Sequence, residues 1–539
     1  MAKLSFTPLG RAFAGAVAPL EHFYHWLARR PVMAGAVVAL VALVSAMASG
    51  AARGFPPPSV HDEFSYLLGA ETFASGRLTN PTHPMWRYFE SPHVLQRPTY
   101  TSKFPPANAL FIAAGLSLSG RPIVGVWISF VFMSVAVYWM LAAWVGNKWA
   151  LGLSLAFVST CGTSYWAYTY WGGAVAAGAG ALLLGALYRI TERDGRPGDA
   201  TLLGIALIVL ANSRPYEGIL LSVPAAIVFF RWLGRDWHAT WNHKVKAVLL
   251  PLFVVVTAGG LCMGIYFHAV TGNWHEMPYF AYDRTHPTLP LFVWQSTQRI
   301  DPRLHRYALT PFEVMNYVRM LVSDFIGLVI PGVVLVPLLL LPIAARSRRT
   351  RFALITIGWA VIGMAFSTFF LPHYAAPLVG AVLIAYGGCL RWLARLRTGD
   401  RKVGRMLAIG VLALWCFTGL TSTSLAFLSR RRGSTYRQTE WAAQRQLIAD
   451  TLARNGKQNL VIVTYYGMHS RNSEWVFNGP NIDASPVVWA HDLGDAANRP
   501  LLDYFRGRRA WRVEVENDIG PYRVSSYLPL SVAAPEGDR

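Results

Sequence analysis

Runs of roughly eighteen or more apolar residues recur along most of this 539-residue chain, and they restrict its fold more than any other feature. A run of that length predicts a helix that crosses a bilayer, because it matches the thickness of the hydrocarbon core. Hydrophobic residues make up 53% of the chain and charged residues 14%, against about 25% charged residues in soluble domains. The sequence therefore predicts a polytopic α-helical membrane protein.

Basic residues predict which side of the membrane each loop faces, because Lys and Arg are enriched in cytoplasmic loops. If the run at 105–119 lies along the outer face as a juxtamembrane helix, the basic loops all become cytoplasmic, and its Pro105-Pro106 start supports this placement. The cytoplasmic N-terminal segment 1–31 is long for a cleaved signal peptide, so we expect the first helix to be retained. About eleven spanning helices are then predicted, from the apolar runs near 32–50, 121–145, 148–168, 171–189, 200–212, 215–233, 247–269, 320–344, 352–371, 374–392 and 405–428.

The net charge of +21 does not indicate nucleic-acid binding, because it is concentrated in short loops such as 346–351 and 391–405. Loops of this kind orient membrane helices. The basic run Arg430-Arg431-Arg432 falls on the predicted outer side, and contact with the anionic head groups of membrane lipids is the alternative role for it. The four cysteines lie in apolar runs without CxxC spacing, which predicts neither a disulfide nor a zinc site: Cys161, Cys262, Cys389 and Cys416.

Three regions follow the N-terminal segment in the predicted organisation. A transmembrane domain covers 32–428 and includes a first outer loop at 51–106 and a long outer loop at 270–318. The segment 434–539 differs, because 459–466 and 510–515 have the pattern of strands and 501–507 that of a short helix. We expect a small α/β domain there, on the extracytoplasmic side.

Two adjacent carboxylates, Asp62 and Glu63, lie about ten residues beyond the first membrane-length run, at the aqueous edge of the membrane. A lipid-linked substrate presents its head group at this depth. Asp62 is therefore a candidate general base that deprotonates an acceptor hydroxyl or amine, with a pKa raised by the low dielectric of the membrane edge. The alternative is structural: acids at the start of a helix predicted over Phe64–Ala74 are favoured by its dipole.

Cationic residues on the same predicted face are candidates for binding a phosphate. Lys103 precedes a rigid Pro-Pro pair where the loop returns to the membrane, although an interfacial lysine would also suit that place. Arg214 lies on the side opposite the basic loops, and either a lipid phosphate or an ion pair with Glu217 would account for it. His373 and Tyr374 lie at another outer helix junction, where the histidine suits a metal, a phosphate or the interface alone.

The loop at 270–318 contains several residues able to bind a metal, but their spacing matches no standard metal signature. They are His275, Glu276, Asp283, His286 and Asp301.

Taken together, these residues resemble the GT-C superfamily of integral-membrane glycosyltransferases, in the branch of the protein O-mannosyltransferases and the lipid A aminoarabinose transferase. The resemblance rests on the segment 62–66, Asp-Glu-Phe-Ser-Tyr, and on Glu90 followed by Lys103-Phe104-Pro105-Pro106. In the similar transferases, the acid and the Lys-Pro-Pro often adjoin, whereas twelve residues separate Glu90 from Lys103 here.

The resemblance implies that a sugar moves from a polyprenyl phosphate to an extracytoplasmic lipid, glycan or protein. Asp62 would be the base, with Glu63 or Glu90 assisting it or contacting a divalent metal ion, a cofactor that stays open. Lys103 and Arg214 would bind the leaving phosphate. The full set of expected substrate-binding residues is Glu90, Arg97, Lys103, Arg214, Tyr216, Glu217, His373 and Tyr374.

Two other classes of protein remain as alternatives. A transporter or flippase of lipid-linked saccharides would carry ionisable residues near helix centres, whereas here they cluster at the outer ends. A noncatalytic assembly or sensor protein would tolerate the loss of Asp62. The composition, low in cysteine and rich in Ala, Gly and Arg, suits a bacterial inner-membrane protein.

Overall fold

The computed structural model describes residues 19–527, apart from 162–164, 287–290, 293, 295–314, 316–317, 320–321, 324, 328, 368–370, 400–401, 431–439, 467–472, 518–519 and 521. The first eighteen residues of the predicted N-terminal segment, most of the long outer loop with Asp301, and positions 434–439 and 528–539 of the predicted C-terminal domain lie outside this description.

Helices make up most of the described chain. They are α1 (Pro31–Arg53), α2 (His61–Ala74), α3 (Ala107–Ser119), α4 (Pro122–Trp144), α5 (Asn147–Cys161), α6 (Gly173–Glu192), α7 (Pro197–Ala211), α8 (Pro215–Leu233), α9 (Trp237–Lys244), α10 (Leu250–Thr271), α11 (Pro278–Thr285), α12 (Arg348–Met364), α13 (Val379–Leu393), α14 (Val403–Arg430), α15 (Glu440–Arg454) and α16 (Asp495–Tyr504). Strands occur only in two small sheets of the described chain, β1 (Asn80–Pro81), β2 (Val94–Leu95), β3 (Thr99–Ser102), β4 (Asn459–Tyr465), β5 (Val487–His491), β6 (Arg509–Val515) and β7 (Tyr522–Ser526).

The helices confirm the predicted class, a polytopic helical membrane protein with a small C-terminal sheet domain. Seven helical segments of the described chain are long and apolar enough to cross a membrane, and three further apolar helices are shorter. Other predicted spans correspond to α5 and α12, which have 15 and 17 residues and fall below the roughly twenty residues of an untilted span.

Close helix packing in the membrane domain depends on small residues. Gly115 of α3 and Gly125 of α4 touch backbone to backbone: a Cβ on Gly115 would lie 2.0 Å from the Gly125 nitrogen. Small residues allow such approach where no water drives helices together. Helix α3 has 13 residues and is therefore about 20 Å long, shorter than the hydrocarbon core.

The helix α6 occupies the centre of the membrane domain. Its sequence of Gly, Ala and Leu is apolar on every side, as expected for a helix surrounded by others, and most of its residues are buried. Gly178 and Gly185 let the rings of Phe132 and Trp139 from α4 lie directly against its backbone.

The C-terminal domain is a four-stranded sheet in the order β5-β4-β6-β7. The central strand β4 pairs in parallel with β5 and β6, and β7 pairs antiparallel with β6. The strands predicted from 459–466 and 510–515 are confirmed as β4 and β6, whereas the predicted helix at 501–507 is displaced to α16.

The C-terminal domain packs onto the segment 51–106, the predicted first outer loop, and the two share one hydrophobic core. Phe64 of α2 stacks on Phe477, with ring centroids 4.3 Å apart and nearly parallel planes. The Tyr100 hydroxyl donates to the Asn478 carbonyl at 2.7 Å, and His83 Nε2 lies 3.0 Å from Asp483 Oδ1. This contact fixes α2 from the side away from the membrane helices.

Candidate active site

The helix α2 places Asp62 and Glu63 in its first turn. It begins at His61, after the extended residue Val60, and confirms the helix predicted from Phe64–Ala74. The N-terminal end of a helix favours negative charge, because its dipole and free N–H groups point there. The two carboxylates nevertheless have different neighbours.

The Asp62 carboxylate lies between two histidines. Its Oδ1 is 3.2 Å from His61 Nδ1 and 3.1 Å from His93 Nε2, and the two rings are 4.3 Å apart. The Asp62 backbone N–H donates to the same His61 Nδ1 at 3.0 Å, so this nitrogen can donate to the carboxylate only in a ring that is protonated there and gives up the backbone bond. About a fifth of each of the three side chains is exposed, which leaves the cluster accessible.

His93 is held in place by its backbone, which has a φ of +64° in the left-handed region. Such a conformation is unfavourable for a residue other than glycine and persists only where neighbours impose it. Three hydrogen bonds do so: the Ser65 hydroxyl and the Lys103 N–H donate to its carbonyl at 2.7 and 3.0 Å, and its own N–H donates to the Tyr282 hydroxyl at 3.0 Å.

Sequence reasoning missed His93. It lies 31 positions beyond Asp62, in a Ser-Pro-His segment that matches no motif, and only the short hairpin from β2 to β3 returns it to α2. The left-handed backbone conformation of a histidine cannot be predicted from the spacing of residue types in the sequence.

The pKa values of this cluster correct one prediction. Burial alone would raise the pKa of the Asp62 carboxyl, as predicted, but hydrogen bonds and charge from His61 and His93 outweigh it and hold that pKa well below its usual range. Burial lowers the pKa of His93 to about 4, against the opposing effect of Asp62. At neutral pH, Asp62 is therefore ionised and His93 neutral.

Two imidazoles and one carboxylate also form a set that suits a divalent metal ion. In the described part of the chain, His61, Asp62 and His93 are the one group of three such residues whose ligand atoms lie within 4.8 Å of one another. Tetrahedral zinc ligands lie about 3.3–3.5 Å apart, given bonds of about 2.0–2.2 Å, and the two distances to Asp62 are close to this. A neutral His93 offers a lone pair, as a metal requires.

Glu63 faces away from this cluster. Its Oε2 accepts hydrogen bonds from the Ser59 N–H at 2.8 Å and the Ser59 hydroxyl at 3.1 Å, and its Oε1 accepts from the Tyr170 N–H at 2.9 Å. The side chain is 2% exposed, and burial raises its pKa although these hydrogen bonds oppose the rise. Through these hydrogen bonds, Glu63 connects the segment at Ser59 to the segment at Tyr170.

Lys103 lies on the other side of His93, almost fully buried among aromatic rings. Its Nζ is 4.3 Å from the centroid of Tyr279 and 4.5 Å from that of Tyr282. Burial lowers its pKa to about 8, while the charges of Asp283 and Asp62 oppose this effect. The ammonium is thus mostly charged at neutral pH, with cation–π contacts in place of a direct ion pair.

Arg214 joins the same group of charges from the start of α8. Its guanidinium lies 4.1 Å from the centroid of the Tyr374 ring, and it interacts electrostatically with Tyr66, Glu217 and Asp62. The predicted partner Glu217 is therefore one of several groups that act on Arg214, and Asp62 is another.

His373 completes this wall of the site. Its ring is buried and stacks on Trp171, with centroids 4.8 Å apart, and the charges of Arg214 and Asp62 both act on it. The structure therefore brings Asp62, Lys103, Arg214, Glu217, His373 and Tyr374 into one electrostatic neighbourhood.

Three predicted residues lie elsewhere. Glu90 is exposed, and its carbonyl is 2.7 Å from His491 Nε2 of the C-terminal domain. Arg97 is exposed and lies over the ring of Trp86 at 5.2 Å. The Tyr216 hydroxyl donates to the Gly363 carbonyl of α12 at 2.5 Å, which ties two helices together.

The candidate ligands of the long outer loop do not form a cluster of three in the described chain. Glu276 pairs with Arg284 at 2.6 Å, and His286 stacks on Tyr282 with centroids 4.0 Å apart. Asp283 contributes to the electrostatics of the site, because its charge acts on Lys103.

No protein-family model and no curated protein matches the sequence, whereas solved structures do match the fold. ArnT from Cupriavidus metallidurans bound to undecaprenyl phosphate superposes with a TM-score of 0.55 at 16% identity, over 89% of this chain and 92% of that chain. This chain has the GT-C membrane fold. The predicted GT-C resemblance is thereby confirmed at the level of the fold.

Other structures of the same kind were found. ArnT in the apo state superposes with a TM-score of 0.53 at 16% identity, over 90% of this chain and 92% of that chain. An Archaeoglobus fulgidus oligosaccharyltransferase in complex with Zn and sulfate gives a TM-score of 0.45 at 11% identity, over 88% and 67% of the two chains.

Proposed function

We propose that this protein transfers a sugar from a polyprenyl-phosphate donor to an extracytoplasmic lipid, glycan or protein. The observation that carries the proposal is the position of Asp62, partly exposed at the start of α2 between two histidines, with its charge acting on both Lys103 and Arg214. The ArnT fold supports the same class of donor, since that protein was crystallised with undecaprenyl phosphate. A bacterial inner membrane, with this site outward, is the location we propose.

In the proposed reaction, an acceptor hydroxyl or amine attacks the anomeric carbon while the bond from that carbon to the lipid phosphate oxygen breaks. The leaving polyprenyl phosphate gains negative charge, which Lys103 and Arg214 stabilise electrostatically. The acceptor proton passes to Asp62. Because the pKa of Asp62 is low, it is a weak base, so the proton moves late, when bonding to carbon has made the acceptor acidic.

His61 and His93 have a positioning role in this mechanism. Their nitrogens fix one oxygen of Asp62, which leaves the other oxygen to face the acceptor. Fixed donors around a reacting carboxylate reduce the reorganisation needed at the moment of reaction.

A divalent metal ion held by His61, Asp62 and His93 is the second candidate for this cluster. Bound there, it would supply positive charge close to the lipid head group. A chelator distinguishes the two candidates. If the cluster holds a metal ion, chelation should abolish sugar transfer and added metal should restore it. If Asp62 acts as a base without a metal, sugar transfer should continue in the presence of the chelator.

The proposal is tested by comparing wild type with Asp62→Asn and Glu90→Gln in nanodiscs. Each is incubated with radiolabelled polyprenyl-phosphate sugars and membrane extract, and label leaving the lipid is followed. We expect transfer by wild type and Glu90→Gln, and a loss of at least about a hundredfold in Asp62→Asn. Equal transfer by all three would remove Asp62 from the chemistry, and donor translocation without transfer would favour a flippase.

A further inference from the structure

Four arginines surround a cavity of about 370 Å³ that the proposed reaction does not use: Arg346, Arg349, Arg391 and Arg395. Two helices show that it lies at the end of the membrane domain opposite Asp62. Arg349 is in the first turn of α12, whose other end at Gly363 meets Tyr216. Arg391 is in the last turn of α13, whereas His373 lies in the segment Pro372–Leu378 that leads into the first turn of that helix.

The positive charge of this cavity is not balanced by nearby acids. None of its lining residues is acidic, and no ion pair within the described ranges involves any of the four arginines. Like charges around a common space repel one another, and an anion placed between them removes that repulsion.

The arginines retain donors that can bind an oxyanion. Arg349 uses one N–H, donated from Nη1 to the Trp144 carbonyl at 2.9 Å, and its guanidinium lies 4.9 Å from the Tyr188 centroid. A guanidinium has five N–H donors in a planar fork that matches a phosphate. Ser347 and Thr350 also line the cavity, at the N-terminal end of α12, where the helix dipole favours an anion.

The surroundings indicate a lipid rather than a free ion. Trp144 and Trp392 line the same cavity, and tryptophan is the residue that typically lies at the level of lipid head groups. Basic loops that only orient helices need no shared cavity, and Arg348 and Arg351, beside Arg349 in the chain, do not line it. We propose that this cavity binds the phosphate of an anionic membrane phospholipid.

The experiment compares two double variants that remove the same charge from the same end of α12 and its neighbours. Arg349→Gln with Arg391→Gln removes two of the four guanidinium groups from the cavity, whereas Arg348→Gln with Arg351→Gln leaves its lining intact. Each full-length protein, purified in a neutral detergent, is titrated with phosphatidylglycerol, phosphatidylcholine or inorganic phosphate. Thermal unfolding is followed by tryptophan fluorescence, and native mass spectrometry counts retained lipids.

We expect phosphatidylglycerol alone to stabilise wild type and the Arg348/Arg351 variant. In the Arg349/Arg391 variant, the lipid concentration for half-maximal stabilisation should rise on the order of tenfold or more. Equal responses of the two double variants would overturn the proposal, and so would equal stabilisation by inorganic phosphate, which would assign the cavity to a soluble anion. If the Arg349/Arg391 variant does not fold, Arg346→Gln with Arg395→Gln, both exposed, provides the same comparison.

Discussion

Asp62 and Glu63 are neighbours on the first turn of α2, yet they have opposite surroundings. Asp62 is partly exposed and meets two imidazole rings, whereas Glu63 is buried and accepts hydrogen bonds from Ser59 and Tyr170. Consecutive helical residues point about 100° apart, so only one of the pair can face the site. The prediction for Asp62 stays a prediction, and the geometry gives Glu63 a structural role.

Replacement of Glu63 by Gln should destabilise the protein by about 1–3 kcal/mol. The amide nitrogen of Gln cannot accept a hydrogen bond, so one of the buried groups that now donate to Glu63 would lose its acceptor. The matched control is Glu90→Gln, which removes the charge of an exposed glutamate and should leave stability unchanged. Thermal unfolding in detergent measures both. Equal unfolding temperatures for the two variants would contradict the role assigned to Glu63.

The pKa of about 8 at Lys103 predicts the alkaline limit of activity. As the pH rises through 8, the lysine loses its charge and the donor phosphate loses a binding partner, so kcat/KM for the donor should fall. In Lys103→Arg this decline should move to higher pH, since a guanidinium stays charged. A wild-type profile that is flat from pH 7 to about 10 would count against phosphate binding by Lys103.

At the scale of secondary-structure elements, the first outer loop and the C-terminal domain behave as one unit. Helix α2 contributes Phe64 to the shared core, where it stacks on Phe477 and lies under the Arg445 guanidinium at 4.9 Å. Arg445 in turn donates to the Trp475 and Phe477 carbonyls, each at 2.8 Å. The helix that carries Asp62 is thus positioned partly by residues nearly four hundred positions later.

The change Phe64→Ala should therefore loosen the C-terminal domain, because loss of a buried phenyl ring costs about 3–5 kcal/mol. Faster hydrogen exchange in α15 and β4 would measure this loosening. The control Phe253→Ala removes a ring that is 67% exposed on α10 and should not change exchange there. Unchanged exchange in Phe64→Ala would show that the domain is held by its other contacts.

At the scale of the whole molecule, the sequence predicted the class and the fold, because membrane helices and basic loops follow simple physical rules. The strands β4 and β6 were also predicted, as apolar runs with strand composition, but β5, β7 and the contact of this domain with the first outer loop were not. Such contacts depend on tertiary packing, which has no local pattern. The grouping of residues at the candidate site was predicted in part: Asp62, Lys103 and Arg214 lie in one electrostatic neighbourhood, whereas His93 was found only through the fold.

The orientation of the molecule is a further prediction. Reporter fusions after Asp199 and Lys246 should report the cytoplasm, and fusions near Asp62 and at the C-terminus should report the outside. A cytoplasmic Asp62 would contradict the proposed reaction, whereas the lipid cavity among the arginines would stay testable on whichever side it lies. Cysteine labelling of the same positions, in intact and opened cells, provides an independent check.

The distance along the chain between the first outer loop and its cover has a consequence for biosynthesis. The ribosome completes Phe64, Tyr88 and Tyr100 long before it makes their partners Phe477, Ala497 and Asn478. Until then, these aromatic side chains lack their cover and expose apolar surface of the kind that chaperones bind. We therefore expect the segment around Asp62 to reach its final packing only after the C-terminal domain has been made, so that a chain truncated before Phe477 would leave the candidate site incomplete.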